Sequence, residues 1–90
     1  MNDQHIELLR ELDALADELG PTPTVDSPTA DFRAMADGYR RQAQFWTRVA
    51  TSADPDGFGL LARAAVAASA GAREIARFWD STADERDRET

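Results

Sequence analysis

The sequence contains no cysteine and no lysine, and its single histidine is His5. The lack of cysteine excludes disulfides, thiolate metal sites and thiol nucleophiles. No apolar run approaches the roughly 20 residues that are needed to span a bilayer. The first residues also lack the basic start and the apolar stretch of a signal peptide. We therefore expect a cytoplasmic protein that does not enter a membrane.

The residue patterns of catalysis are missing as well. His5 and Glu7 are two positions apart, and such residues point to different faces of a helix, so they cannot share a metal ion. The four serines have no histidine base and no G-x-S-x-G elbow. A phosphate-binding loop would need the lysine that the chain lacks. We expect no enzymatic activity, no cofactor and no bound metal.

The composition is that of one small globular domain. Ninety residues of 9.9 kDa bury roughly 64% of the surface of the unfolded chain, which allows one modest core. Hydrophobic residues make up 42% and charged residues 30%, which is ordinary for a folded domain. All ten basic residues are arginine and 17 residues are alanine. This usage is typical of a GC-rich, and hence bacterial, genome.

The charge is unevenly distributed along the chain. Residues 1–31 carry eight acidic side chains and one arginine, residues 32–79 have a net charge of +3, and residues 80–90 have −3. The simplest interpretation is that an acidic first helix docks on the more basic remainder. Alternatively, it shields a basic face that is meant for an anionic partner. The pI of 4.5 has the wrong sign for attraction to nucleic acid.

Three helices are predicted, at about residues 4–19, 28–53 and 55–80. The breaks between them are the Pro-rich segment 20–24 and the turn at 54–57, where proline and glycine interrupt the helical pattern. Apolar residues at alternating spacings of three and four mark one face of each helix. These faces are Leu8, Leu12, Leu15 and Leu19; Phe32, Met35, Tyr39, Gln42, Trp46, Val49 and Ala53; and Phe58, Leu61, Ala65, Ala68, Ala72, Ile75 and Trp79.

The predicted fold class is all-α. Two long helices joined by a tight turn must be antiparallel neighbours, and the short acidic helix then covers the groove between them. The result is a three-helix bundle in a single domain of residues 1–80. Residues 81–90 have no apolar face, so we expect them to form an acidic flexible tail.

One nine-residue pattern occurs twice. Residues 38–46 and 71–79 both follow Gly-x-Arg-x-x-Ala-x-Phe-Trp, and they contain the only two tryptophans of the chain. One hypothesis is a duplicated binding element with an aromatic pair in each long helix. The alternative is packing, since in an antiparallel hairpin Phe45-Trp46 would face small residues near 64–67, and Phe78-Trp79 would face residues 32–35.

The candidate interaction surface combines an uncharged face of the third helix with the exposed edges of Phe45 and Phe78 and with neighbouring arginines. Residues 64–72 carry no charge on any side of the helix, and such a segment is usually contacted on more than one side. Aromatic and arginine side chains are frequent interface anchors. The candidate interface residues are Arg40, Arg41, Phe45, Trp46, Ala64, Ala67, Gly71, Arg73, Arg77, Phe78 and Trp79. We expect a protein-protein interaction or adaptor module whose partner is another protein or a second copy of the chain.

Two alternatives stay open. A small-ligand carrier would use an aromatic-lined pocket between the helices. Alanine-rich hairpins of this length also resemble the small secreted WXG100 proteins, which would imply export without a signal peptide. The turn after residue 53 lacks the Trp-x-Gly signature of that family, and the C-terminal segment lacks its Tyr-x-x-x-Asp/Glu export signal.

Overall fold

The computed structural model describes residues 3–53 and 59–89. In these residues the chain forms three helices, α1 (Asp3–Leu19), α2 (Thr29–Ala53) and α3 (Leu60–Glu89). α2 and α3 pack along each other as an antiparallel hairpin, and α1 lies against α2. The predicted all-α bundle is confirmed. The predicted turn at 54–57 and Phe58 lie outside the described residues. Within the described ranges, no helix is long and apolar enough to cross a membrane.

α1 ends where the sequence predicts, at a glycine. Gly20 has φ +66°, a left-handed conformation that favours glycine because it has no Cβ. Its N–H donates to the Asp17 carbonyl at 3.3 Å. The predicted leucine seam is the partly buried side of α1, whereas Ile6 and Leu9 are exposed. The apolar contacts of α1 with the rest of the protein are therefore made by this narrow seam.

α2 is buried on two sides because it lies between α1 and α3. The predicted seam contains Phe32, Met35 and Val49, all of them buried, but Ala43 and Phe45 outside it are buried too. In the connector before α2, Thr24 N–H donates to Ser27 Oγ at 2.9 Å, and Ser27 N–H donates to the Thr24 carbonyl at 3.1 Å. These two hydrogen bonds hold the connector in a turn just before the helix begins.

The buried row of α3 consists almost entirely of small residues. It contains Ala62, Ala65, Ser69, Ala72, Ala76 and Ala83. The predicted seam placed Ile75 in the core, and this was wrong: Ile75 is 41% exposed and its neighbour Ala76 is buried. Small side chains let two helices approach closely. The bulky aromatic residues of α2 therefore pack against alanines of α3.

The prediction of a flexible tail at residues 81–90 was wrong for 81–89, which continue α3. Ala83 is fully buried. The Arg33 guanidinium at the start of α2 donates to Asp84 at 3.1 Å and to Asp87 at 2.8 Å. The Arg86 guanidinium lies 5.3 Å from the centre of the Phe32 ring. These contacts come from α2, so the polar composition of the segment alone did not indicate them.

The molecule is elongated, with principal extents of 50 × 22 × 13 Å. Its radius of gyration is 15.4 Å, whereas a compact chain of this length would have about 12 Å. Its accessible surface is 6289 Å², compared with about 5,200 Å² for a typical monomer of this mass. The fold thus leaves more surface uncovered than a compact domain would.

Candidate functional site

The two copies of the repeated pattern have the same local aromatic geometry. The Phe45 and Trp46 ring centres are 5.1 Å apart at 74°, and Phe78 and Trp79 repeat both values. Edge-to-face pairs of this kind are favourable. The sequence repeat is therefore a structural repeat, and what differs between the copies is their surroundings.

The first aromatic pair is part of the core. Phe45 is only 2% exposed and forms a buried cluster with Val49 and Ala65. Trp46 and three leucines of α1 pack against this cluster; they are Leu8, Leu12 and Leu15. The prediction that Phe45 presents an exposed edge to a partner was wrong, because α1 covers it. The packing alternative holds for this copy.

The second aromatic pair is divided between core and surface. Trp79 is half-buried and its ring stacks on Phe32, with centres 5.8 Å apart at 29°. This contact is the one that the packing alternative expected between residues 78–79 and 32–35. Phe78, in contrast, is 60% exposed. It is a large apolar side chain left in contact with solvent.

Phe78 belongs to an uncharged row along one side of α3. This row, which we call the α3 stripe, consists of five exposed residues: Ala64, Ala67, Gly71, Ile75 and Phe78. Their spacings of three and four residues place them on one side of the helix. An added Cβ at Gly71 would meet no atom within 4 Å. Four of the five were predicted as interface residues, and Ile75 was missed because it was assigned to the core.

The predicted arginines lie elsewhere. Arg41 Nε is 3.3 Å from Glu18 Oε2, so this arginine holds α1 on α2. Arg40 pairs with Asp80 of α3 and with Asp37 of its own helix. A groove of about 370 Å³ runs between α2 and α3. We call it the arginine groove. It is lined by Arg40, Ala43, Gln44, Arg73, Ala76 and Arg77.

A buried serine hydroxyl and its hydrogen-bond partners join the two long helices next to this groove. Ser69, which is 3% exposed, donates from Oγ to the Ala43 carbonyl across the interface at 3.1 Å. Its Oγ also lies 2.9 Å from Thr47 Oγ1, and Arg73 donates to Thr47 Oγ1 at 3.2 Å. A buried hydroxyl needs such partners. The sequence contains a signal for this contact, since Ser69 is the one serine in the uncharged run of residues 64–72. The candidate interface residues did not include it.

A further ion-pair cluster, outside these two surfaces, links α2 to the end of α3. The pKa of Arg33 is raised above its ordinary value because its guanidinium donates to Asp87 and to Asp84. In the described ranges, no three His, Cys, Asp or Glu side chains lie close enough together to hold a metal ion.

The predicted interface is therefore two surfaces, not one. At about 100° of rotation per residue, Arg77 is about 100° and Arg73 about 140° away from Phe78 around α3. The α3 stripe and the arginine groove thus lie on different sides of the helix. Phe45, Trp46 and Trp79 belong mainly to the packing that holds the helices together.

Comparison with known proteins gives no match: no protein-family model fits the chain, and no curated protein or solved structure is significantly similar to it.

Proposed function

We propose that this chain is a non-enzymatic interaction module that binds a helix of a partner protein on the α3 stripe. The observation that carries the proposal is the exposure of Phe78, which is 60%, against 2% for Phe45 at the equivalent position of the repeat. Large aromatic side chains exposed in an apolar patch are frequent anchors of interfaces.

The surroundings of Phe78 support the same proposal. Ile75, one turn before it, is 41% exposed, and Gly71 and Ala67 leave a shallow depression beside the two bulky side chains. A knob next to a depression is the geometry into which the side chains of another helix fit.

The partner can be tested by affinity capture with two matched variants. Phe78 and Val66 are both 60% exposed, but Val66 lies about 120° away around the helix. We expect wild type and Val66→Ala to retain the same stoichiometric partner and Phe78→Ala to lose it, while all three unfold at similar temperatures. Equal capture by Phe78→Ala would contradict the proposal.

A second candidate function, a small-ligand carrier, has support only at the arginine groove. Its volume of about 370 Å³ falls within the range of ligand sites, and the guanidinium groups of Arg73 and Arg77 favour an anionic ligand. None of its lining residues is aromatic, so it differs from the aromatic-lined pocket that the sequence suggested. Titration with small dicarboxylates and organic phosphates, followed by calorimetry, tests this candidate.

A further inference from the structure

The repeat gives α2 and α3 equivalent surfaces, and in the structure α1 packs on the one that belongs to α2. The contacts of α1 therefore indicate what kind of helix the equivalent surface of α3 would bind. A shift of 33 residues relates Gly38, Gln42 and Phe45 of α2 to Gly71, Ile75 and Phe78 of α3. On α2 these positions are buried or half-buried. On α3 all three are exposed. The difference is that α1 covers the side of α2 on which they lie.

The way in which α1 covers α2 defines what such a surface accepts. Glu18 pairs with Arg41 and Glu11 pairs with Arg48, so the two helices are antiparallel. The leucine seam of α1 packs on the cluster around Phe45. At its end, the Leu19 side chain occupies the place that a Cβ on Gly38 would fill. A glycine on one helix thus receives a leucine from the other.

The α3 stripe offers the same features without an occupant. Gly71 has open space at the position where Gly38 is in contact with Leu19. Phe78 is the equivalent of Phe45, against whose cluster the leucines of α1 pack. The charge pattern, however, is changed. The position equivalent to Arg41 is Glu74, and the position equivalent to Arg48 is Ser81. An occupant with a glutamate like Glu18 would meet a glutamate of like charge.

We infer that the α3 stripe binds an amphipathic partner helix with a leucine seam like that of α1, antiparallel to α3, with a leucine at Gly71 and a basic residue opposite Glu74. This inference rests on the proposed function and specifies its partner. It commits to a helix from another protein and not to α1 of a second copy, because α1 carries an acidic residue at the critical position.

Two synthetic peptides make the test direct. One has the native sequence of residues 3–19 and the other has the substitution Glu18→Arg. Each is titrated into the ¹⁵N-labelled full chain while the backbone amide resonances of Gly71 and Phe78 are followed. We expect the Glu18→Arg peptide to bind about fivefold more tightly, the effect of replacing a surface repulsion by a surface ion pair. Glu74→Arg in the protein should reverse the preference.

Two variants separate docking from a general effect on the helix. Gly71→Gln fills the depression with a good helix-forming residue, and it should weaken peptide binding by at least about tenfold. Ala70→Gln adds the same side chain about 100° away at another exposed position, and it should leave binding unchanged.

Three results would overturn the inference. One is the absence of chemical-shift changes at Gly71 and Phe78 at millimolar peptide concentration. If affinity capture of a partner still depends on Phe78, the proposed function stands and only the partner chemistry inferred here is wrong. Another is a set of shifts at Gly38 and Phe45, which would mean that the peptide replaces α1. The last is a species of about twice 9.9 kDa in sedimentation without peptide that Phe78→Ala converts to monomer. That result would assign the stripe to a second copy.

Discussion

Truncating the two equivalent phenylalanines should have very different effects on stability. Phe45 is 2% exposed within a cluster of aliphatic side chains, whereas Phe78 is 60% exposed. Removal of a buried phenylalanine costs about 3–5 kcal/mol, from lost burial and from the cavity that remains. The stability of a 90-residue domain is about 5–13 kcal/mol. Phe45→Ala should therefore remove a large part of it.

The estimate for Phe78 follows from its smaller covered fraction. Full burial of a phenylalanine side chain is worth about 1.5–3 kcal/mol, and two-fifths of Phe78 is covered, so roughly 1 kcal/mol is lost on truncation. The higher helix propensity of alanine compared with phenylalanine stabilises the variant by about 0.5 kcal/mol, which offsets about half of this loss. Phe78→Ala should consequently destabilise the protein by only about 0.5 kcal/mol.

Urea and thermal unfolding, followed by circular dichroism at 222 nm, measure both values. At about 4–8 °C per kcal/mol for a domain of this size, Phe45→Ala should lower the melting temperature by at least about 12 °C and Phe78→Ala by about 2–4 °C. A wild-type-like Phe45→Ala, or a Phe78→Ala that is as unstable as Phe45→Ala, would refute the assignment of one residue to the core and the other to the surface.

Two further predictions concern the repeated glycines and the end of α3. Gly71→Ala should stabilise the protein by about 0.5–1 kcal/mol because the position is open. Gly38→Ala should gain less or lose stability, since its Cβ overlaps the Leu19 side chain; equal urea midpoints for both variants would contradict this. Arg33→Gln should remove the charged contacts to Asp84 and Asp87 and increase amide hydrogen exchange at residues 84–89. Exchange at wild-type rates there would show that other contacts hold this segment.

The sequence allowed the helices to be located because their signals are local. Gly20 and the prolines around it end α1 and delay α2, and the apolar periodicity of 3.6 residues identified the leucine seam of α1. The repeat at residues 38–46 and 71–79 was visible in the order of the residues. The end of α3 was predicted nine residues too early, because Ala83 is the only apolar residue in that segment and its support comes from Phe32 and Arg33.

The candidate site could be predicted only in part, and the physical reason is the position of α1. A periodic sequence determines which residues share a side of a helix, so it grouped Ala64, Ala67, Gly71 and Phe78 correctly. It does not determine which sides are covered, because coverage depends on contacts between segments far apart in the chain. Phe45 and Phe78 have the same local sequence pattern and the same ring geometry. Only the docking of α1 on α2 makes the first a core residue and leaves the second on the surface.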